Sequence, residues 1–275
     1  MIRLICADLD GTLLDDEKNI PEVNRKAIQR AREEGVRIVL TSGRPPHSLR
    51  RYTKDLGLER EGEYCIATNG ALLLECGSHR IIREATFGRA QLSFLLAIAR
   101  QHTDILNPHM YYEEKVLVER QTEATRIYES LSGCRTTLVP DLSEYLDIPM
   151  TKMVFCGLEA NDALTILQQS LEGILPPEIN MFKSADFLLE FVHRDAGKWN
   201  AVSALADHLG IQKDQILCIG DNENDMEMVR EAGFGGGPAN SCDSLKVCAD
   251  YVSIADNNQG GAAEIIAKAL NWGLS

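Results

Sequence analysis

The chain has 275 residues, of which 44% are hydrophobic and 25% charged, a composition typical of a globular protein long enough for two domains. Its 28 Lys and Arg against 41 Asp and Glu give a formal net charge of −13 at pH 7. Phosphate backbones repel so acidic a chain, and no basic run offsets the repulsion, so we expect no nucleic-acid partner. For the same reason, a phosphorylated substrate would need a divalent cation.

The cysteines and the first residues bear on the cellular compartment. The eight cysteines show no C-x-x-C spacing, and several lie in apolar runs, as Cys218 does. We therefore expect neither a zinc ribbon nor a disulfide framework. The apolar run at the start of the sequence ends at Asp8 and is too short for a signal peptide. No apolar run of about 18 residues, as a membrane-spanning helix requires, is present. We expect a cytoplasmic protein with no membrane partner.

Apolar strands alternate with amphipathic helices in the first and last parts of the chain. Apolar runs predict strands at Ile2–Ala7, Val36–Leu40, Tyr64–Ala67, Ile216–Ile219 and Asp250–Ile254. Helical spacing predicts helices at Pro21–Glu34, with Val23, Ala27 and Ala31 on one stripe, and at 198–209 and 223–232. Strands that are apolar throughout suit a sheet covered on both faces. The pattern predicts an α/β fold with a doubly wound parallel sheet.

The middle of the chain has a different pattern. Helices are predicted at Ala90–Gln101, Glu123–Leu131 and Asp162–Leu171, between strands at Val116–Glu119, Thr151–Phe155 and Phe187–Val192. None of the candidate chemical motifs falls in this stretch. We therefore predict a core formed by residues 1–84 and 191–275, interrupted by an inserted α+β domain at 85–190 that serves as a cap. The two crossings would lie side by side, as a hinge requires.

The first candidate motif follows the first strand and reads Asp8-Leu9-Asp10-Gly11-Thr12. Two carboxylates at the carboxyl end of a buried strand can point into one crevice. One carboxylate can attack phosphorus to form an aspartyl-phosphate if a cation offsets the charges. The other can protonate the leaving oxygen and later deprotonate water. Thr12 adds a hydroxyl. The alternative is a solvated strand end rich in turn-forming residues.

Two further motifs end other strands. Thr41-Ser42-Gly43-Arg44 offers a hydroxyl and free backbone N–H groups that could hold a phosphate oxygen, although Ser-Gly is also a common turn. In Gly220–Asp225, Asp221 ends a strand, and Asp225 follows four residues later. These carboxylates could bind Mg²⁺. Glu223 and Asp225 could instead be acids favoured by the helix dipole, the interpretation that we adopt for Glu223.

A basic group is needed to neutralise a phosphoryl group, and Lys198 is the candidate. It stands at the start of a predicted helix, where the dipole disfavours a cation, so a nearby anion must compensate. An exposed surface lysine is the alternative.

These motifs, in this order, closely resemble the haloacid dehalogenase superfamily of phosphatases, in its Cof-type branch with a large cap. The resemblance spans nearly the whole chain: Asp8–Leu14, Thr41–Arg44, Thr68-Asn69-Gly70, Lys198 and Gly220–Asp225. It implies a magnesium-dependent enzyme with a Rossmann-like core.

The resemblance also implies roles for individual residues. Asp8 would be the nucleophile and a Mg²⁺ ligand, and Asp10 the general acid–base, with its backbone carbonyl reaching the metal. Ser42 and Lys198 would hold the phosphoryl oxygens. The remaining implied site residues are Asp221 and Asp225 at the metal, and Thr12, Gly43, Arg44, Asn69 and Asn224 around the substrate.

Several other residues favour ordinary structural roles. The histidines never pair at metal-ligand spacing, so we expect all six, including His109, on the surface or in loops. Tyr111-Tyr112 is typical of a strand, and Phe182–Asp186 of a loop in the inserted domain. Trp199, which follows Lys198, lies on the apolar stripe of its helix and is predicted to face the core.

The leading prediction is a Mg²⁺-dependent phosphatase that hydrolyses small phosphorylated metabolites, with sugar phosphates first among them. A phosphomutase or phosphotransferase would need the same core motifs, and product analysis would distinguish it. A non-catalytic phospho-acceptor or Mg²⁺-binding regulatory module would have no use for Asp10 or for the long insertion. Both a monomer and a homodimer fit the sequence.

Overall fold

The structure is a computed structural model that describes residues 1–112, 115–157 and 161–273, and for Asn161 and Asp162 the backbone alone. The contacts divide the chain into two units. The first comprises Met1–Gly43, Leu49–Arg83 and Gly197–Ser275, and the second comprises Arg44–Ser48 and Glu84–Ala196. The predicted boundaries, 1–84 with 191–275 and 85–190, stay a prediction of domain organisation.

The strands and helices are numbered in chain order. The strands are β1 (Leu4–Asp8), β2 (Arg37–Thr41), β3 (Tyr64–Ala67), β4 (Leu72–Glu75), β5 (Ile81–Glu84), β6 (Asn107–Tyr112), β7 (Lys115–Val118), β8 (Thr136–Leu138), β9 (Lys152–Cys156), β10 (Ile179–Ala185), β11 (Leu188–His193), β12 (Ile216–Ile219), β13 (Phe234–Gly237) and β14 (Tyr251–Val252). The helices are α1 (Glu22–Glu33), α2 (Pro46–Asp55), α3 (Arg89–Gln101), α4 (Glu123–Ser132), α5 (Asn161–Leu171), α6 (Lys198–Leu209), α7 (Met226–Glu231), α8 (Asp243–Cys248) and α9 (Gly261–Ala269).

The first unit is built on a largely parallel sheet. Among the described residues it has eight strands in the order β14-β13-β12-β1-β2-β3-β4-β5. Strands β1 to β3 and β12 to β14 pair in parallel, whereas β4 runs antiparallel to β3. The predicted α/β class with a doubly wound sheet is confirmed, and the antiparallel edge is an addition to it. The order places β1 centrally, between β12 and β2.

Side chains of β1 alternate between two apolar layers. Ile5 and Ala7 pack in a buried cluster with residues of α1 and α9, whereas Leu4 and Cys6 pack in another with residues of α6 and α7. Trp199 lies partly buried against this second cluster, as predicted. Because helices cover both faces, polar groups of the central strands reach an accessible crevice only where the strands end.

Helix α1 departs from its predicted stripe. Val23 is 48% exposed, whereas Asn24 is buried beside Ala27 and Ala31. Asn24 is satisfied on both sides of its amide: Nδ2 donates to the carbonyl of Leu13 at 3.1 Å, and Oδ1 accepts from the N–H of Ala263 at 3.0 Å. A buried amide with these partners ties the turn after β1 to α9, a long-range contact that periodicity does not reveal.

The carboxyl-terminal part differs from the sequence prediction in three places. The predicted helix at 223–232 is a 3-10 turn, Glu223–Asp225, followed by α7, and the predicted strand Asp250–Ile254 shortens to β14. Strand β13 forms although it carries three consecutive glycines. A Cβ at Gly235 would lie 2.0 Å from the carbonyl oxygen of Val229, and one at Gly236 would lie 2.3 Å from Ile265 Cγ2. Close packing on both faces therefore leaves no space for side chains there.

The second unit has a mixed sheet of its own, with six strands among the described residues in the order β10-β11-β9-β6-β7-β8. Tyr111-Tyr112 ends β6, as predicted. Two predictions are wrong here. Most of Phe182–Asp186 belongs to β10, which pairs with β11, and His109 is buried on β6. Across the ranges that the structure describes, no helix combines the length and apolar character that crossing a membrane requires.

The buried His109 should make the stability of the second unit depend on pH. Its ring stacks edge-on with Tyr128, and its Nδ1 lies buried without a hydrogen-bond partner in the described structure. Burial lowers the pKa of His109 to about 3, from 6.5, outweighing the attraction of Glu129. Between these values the unfolded chain binds a proton that the folded chain does not. The free energy of unfolding therefore falls as pH drops below about 6.5.

From pH 7 to pH 5, His109 should cost the unit about 2 kcal/mol of unfolding free energy. The His109→Phe variant keeps an aromatic ring but cannot titrate, so its pH dependence should be smaller by that amount. Hydrogen exchange of the β6 and β9 amides at the two pH values measures the difference. Equal pH dependence in the two proteins would contradict the assignment of this effect to His109.

Candidate active site

The polar strand ends predicted from the sequence meet at one edge of the sheet. Asp8, the last residue of β1, pairs in register with Thr41, the last residue of β2. On the other side of β1, Ala7 pairs with Ile219, two residues before Asp221. Parallel pairing therefore brings the carboxyl ends of three strands together, although they are distant along the chain.

Lys198 joins two of the carboxylates. Its Nζ lies 2.5 Å from Asp8 Oδ1 and 2.5 Å from Asp225 Oδ1, and all three side chains are buried. Burial by itself would lower the pKa of Lys198, but the negative charges of Asp225 and Asp8 outweigh it and hold the pKa above its ordinary value. Lys198 is therefore an ammonium, and the predicted alternative of an exposed surface lysine is wrong.

The carboxyl of Asp8 is in a different electrostatic position. Burial raises the pKa of Asp8 well above its ordinary value; Lys198 opposes this shift, whereas Asp225 and Asp221 add to it by repulsion. Burial and Asp225 also raise the pKa of Asp221, to about 6. Both shifts have the same origin, since the cluster gathers more negative than positive charge away from water.

Asp221 and Asp225 are held by the turn that carries them. Thr12 Oγ1 donates to Asp221 Oδ1 at 2.8 Å, which links the β1 and β12 turns. Asp225 Oδ2 accepts from the N–H groups of Asp221 at 3.0 Å and Asn222 at 3.2 Å. Because Asp225 Oδ1 accepts from Lys198 Nζ, both carboxylate oxygens of Asp225 have hydrogen-bond partners. Asp225 thus shapes the turn and holds the ammonium in place.

The cluster has the composition of a magnesium site. Asp8, Asp221 and Asp225 each offer a carboxylate oxygen, and these oxygens lie within 4.8 Å of one another. Carboxylate oxygens are ligands that Mg²⁺ prefers. Burial, and after it repulsion from neighbouring carboxylates, raises the pKa values of Asp8 and Asp221, and the charge of a divalent cation would oppose both effects. These residues therefore fit the metal that the sequence motifs implied.

Glycine is required where the turns approach the acids. Gly11 has φ of +76°, and a Cβ there would lie 2.5 Å from Asp221 Oδ2. Gly70 has φ of +87°, and a Cβ there would lie 2.1 Å from the carbonyl oxygen of Gly197, the residue before Lys198. The turn after β3 thus packs directly on the start of α6 and helps to place the ammonium.

Ser42, Asn69 and Asn224 form a second group of predicted site residues. The N–H of Ser42 donates to the carbonyl of Ile66 at 2.9 Å, and the N–H of Asn69 donates to the carbonyl of Ser42 at 3.0 Å. Asn224 Nδ2 donates to Asn69 Oδ1 at 3.2 Å, and a Cβ on Gly43 would lie 2.7 Å from that oxygen. The expectation of free backbone N–H groups in this turn is wrong for Ser42, because its N–H joins β2 to β3.

Asp10 lies outside the buried cluster. The carboxyl of Asp10 forms an ion pair with Lys18 at 2.9 Å, and its side chain is 39% exposed, against 9% for Asp8. Arg44 begins the short segment Arg44–Ser48 that groups with the second unit. The predicted role of Arg44 in substrate binding therefore stays a prediction.

Two residues at this edge were not predicted from the sequence. Asn240 Nδ2 donates to the carbonyl of Gly11 at 2.7 Å and so stabilises the turn between Asp10 and Thr12. Lys18 forms the ion pair with Asp10. An asparagine two residues after Pro238 was a turn signal that could have been followed, whereas no local pattern indicates the Lys18 contact.

The packing of Gly70 on Gly197 gives a prediction with a matched control. Gly35 has a similar φ of +84°, but no atom lies within 4 Å of the place that a Cβ would occupy there. We expect Gly35→Ala to lower the free energy of unfolding by about 1 kcal/mol, and Gly70→Ala by about 3 kcal/mol, because Gly70→Ala adds a steric clash. Urea unfolding followed by Trp fluorescence measures both. Equal losses would contradict a close contact at Gly70.

Comparisons with known proteins agree with this architecture. A family model of haloacid dehalogenase-like hydrolases matches residues 5–266. The Bacillus subtilis (strain 168) protein YxeH, which carries a phosphatase name, is 34% identical over 96% of this chain and 97% of its own length. YcsE of the same organism, named a 5-amino-6-(5-phospho-D-ribitylamino)uracil phosphatase, is 26% identical over 99% of this chain and 96% of its own.

A solved structure shows the same fold over nearly the full length. The crystal structure of a haloacid dehalogenase-like hydrolase from Bacteroides thetaiotaomicron aligns with a TM-score of 0.87 at 27% identity and covers 98% of this chain and 99% of its own. The family match extends across both units and includes the motifs that form the acidic cluster. This chain therefore belongs to the haloacid dehalogenase-like hydrolases, as a phosphatase of the Cof-type branch.

Proposed function

We propose that this phosphatase hydrolyses phosphate monoesters of small metabolites with Mg²⁺, through an aspartyl-phosphate at Asp8. The observation that carries the proposal is the buried ammonium of Lys198, which bridges Asp8 and Asp225 beside Asp221. A carboxylate nucleophile, a phosphoryl-neutralising cation and metal-ligating oxygens would thus share one crevice. An ion pair with only a structural role would not need the third carboxylate.

In the first step, a carboxylate oxygen of Asp8 attacks phosphorus, and the bond from phosphorus to the ester oxygen breaks. Asp10 gives its proton to that oxygen, so the product leaves as an alcohol. In the second step, water attacks the phosphorus of the aspartyl-phosphate while Asp10 takes a proton from it. The acyl–phosphate bond breaks, which releases inorganic phosphate and restores Asp8.

The remaining predicted residues would bind the phosphoryl group and orient the reacting ones. Lys198 is suited to neutralise phosphoryl oxygens, because its ammonium already contacts the Asp8 carboxylate. The Ser42 hydroxyl would hold another oxygen, supported by Gly43, Asn69 and Asn224. Thr12 would act indirectly, because its hydroxyl donates to Asp221 and orients that carboxylate. The proposed contact of Arg44 with the substrate rests on the sequence resemblance alone.

Mg²⁺ would be held by the carboxylates of Asp8 and Asp221, with Asp225 and the backbone carbonyl of Asp10 as further candidates. When bound, the metal would supply positive charge that offsets the repulsion between these carboxylates and a phosphate. Asp225 is a weaker candidate for direct ligation, since Lys198 and two backbone N–H groups already occupy its oxygens. Its contribution would then be to position Lys198 and Asp221.

The proposed substrates are small metabolites with a phosphorylated sugar or sugar-alcohol chain. Sugar phosphates are the expectation from the sequence, and YcsE is named for a substrate with a phosphoribityl chain. Substrate selection by the inserted segment 85–190 and a cytoplasmic location are parts of the same proposal. Exchange of 85–190 for the matching segment of a relative should transfer substrate preference.

A panel of phosphorylated metabolites tests the reaction. We expect phosphate release with Mg²⁺ and none with EDTA, and we expect Asp8→Asn to abolish it because an amide cannot attack phosphorus. Asp10→Asn should slow alkyl phosphates by about 10²–10⁴-fold, the usual contribution of general acid–base catalysis. Asp207→Asn, at an exposed position on α6, is the control and should keep full activity.

Two outcomes would contradict this proposal. Activity retained in Asp8→Asn would exclude the aspartyl-phosphate. Isomerised sugar phosphates without free phosphate would identify a phosphomutase, which the same core residues could also serve.

Metal binding can be tested without turnover. Mg²⁺ should raise the Tm of the unchanged protein, with about 2.7 kcal/mol of stabilisation at a concentration 100 times Kd. Asp221→Asn should lose most of this shift because it removes a ligand charge, whereas Asp207→Asn should keep it. A shift equal in Asp221→Asn and the unchanged protein would place the cation elsewhere.

A further inference from the structure

The carboxyl group assigned to proton transfer has a cation of its own. Lys18 Nζ lies 2.9 Å from Asp10 Oδ1, and the two side chains are 42% and 39% exposed. Ion pairs this exposed contribute little to the stability of a fold. The pair joins a surface turn to the Asp8–Thr12 motif, so its effect is better sought in the reaction than in stability.

The backbone at Lys18 is unusual for a lysine. Its φ is +62°, in the left-handed region that glycine and asparagine adopt more readily. The N–H of Lys18 donates to the carbonyl of Asp15 at 3.0 Å, and the hydroxyl of Tyr52 donates to the carbonyl of Lys18 at 3.2 Å. Such a conformation persists where surrounding contacts impose it, and it is enriched near functional sites.

The turn that carries Lys18 is braced on both sides. Within it, the N–H of Asn19 donates to Asp15 Oδ1 at 2.8 Å, and Arg51 Nη2 donates to Asn19 Oδ1 at 3.0 Å. On the other side, Asp16 N–H donates to Asn258 Oδ1 at 3.0 Å. Arg51 belongs to α2, and Asn258 lies in the loop before α9. Long-range contacts therefore fix the backbone turn from which the Lys18 side chain extends.

We propose that Lys18 is a positioning residue for Asp10. Its ammonium engages Oδ1 and thereby restricts rotation of the Asp10 carboxyl group, which keeps that group in the orientation suited to proton transfer. The proposal rests on the function proposed above, in which Asp10 protonates the leaving oxygen. Orientation of a catalytic group is a recognised contribution to rate, since a small misplacement slows the step.

Leaving groups distinguish this role from others. A phenolate such as p-nitrophenolate departs without protonation, whereas the alkoxide of glycerol phosphate needs the proton from Asp10. Both substrates share the second step, so the comparison uses kcat/KM, which reports on formation of the aspartyl-phosphate alone. Loss of Lys18 should therefore lower kcat/KM for the alkyl ester and leave kcat/KM for p-nitrophenyl phosphate nearly unchanged. A role in binding the phosphoryl group would slow both substrates, because both carry the same phosphoryl group.

The experiment compares Lys18→Met, Lys18→Arg, Lys18→Gly and the control Lys26→Met on the two substrates with Mg²⁺. Lys26 forms only an exposed pair with Glu22, at 3.7 Å, among its contacts in the described chain. We expect kcat/KM on glycerol phosphate to fall about tenfold in Lys18→Met, and Lys18→Arg to restore most of it. Lys26→Met should match the unchanged protein.

The Lys18→Gly variant separates positioning from turn stability. Glycine suits a φ of +62°, so this variant should be at least as stable to urea as the unchanged protein and still lose the same activity. In an Asp10→Asn background, Lys18→Met should cause no further loss, since the group that it orients is gone.

Each contrary result has a distinct meaning. Equal losses of kcat/KM on both substrates, a further loss in the Asp10→Asn background, or full activity in Lys18→Met would each overturn the positioning role. Absence of turnover of either substrate by the unchanged protein would instead contradict the proposed function, on which this inference depends.

Discussion

The ion pairs of Lys198 are the interaction on which the rest of this site depends. A buried ammonium is costly unless anions surround it, and buried carboxylates are costly unless cations accompany them. Here Lys198 contacts Asp8 and Asp225, yet burial, and after it repulsion from neighbouring carboxylates, raises the pKa values of Asp8 and Asp221. Buried carboxylates that cost stability in this way also favour the binding of a divalent cation.

The fold serves this cluster by bringing short turns together. Parallel pairing aligns the ends of β1, β2 and β12. Gly11 allows the backbone to approach the carboxylate of Asp221, and Gly70 allows the backbone to approach the start of α6. Other turns are tied to the cluster by side-chain amides, such as Asn240 on the carbonyl of Gly11. Side chains placed at strand ends in this manner are held by a rigid sheet while they remain at its accessible edge.

Asp8 and Asp10 illustrate how two carboxylates two residues apart acquire different surroundings. Asp8 is still part of β1 and lies buried against Lys198, whereas Asp10 lies in the turn, half exposed, and pairs with Lys18. In the proposed mechanism, the nucleophile needs fixed charge around it, and the proton-transfer group needs access to the leaving oxygen and to water. The different burial of the two carboxylates suits these two proposed roles.

Local sequence determined the parts of this protein that depend on neighbouring residues. Apolar runs predicted β3 and β12 at their observed bounds, and helical spacing predicted α6. The polar residues after the strands marked Asp8 and Asp221 as candidates, and the need for a basic group marked Lys198 at the start of α6. Tertiary structure alone decided the remainder. Three features depend on contacts with residues distant in sequence: the burial of Asn24 instead of Val23, the glycine-rich strand β13, and the turn from which Lys18 pairs with Asp10. Periodicity and motifs indicate the local structure that each segment favours. The hydrogen-bond partner of a buried amide, the side chains that pack on a glycine-rich strand and the contacts that orient a lysine come from other segments. They are therefore determined only when the chain has folded.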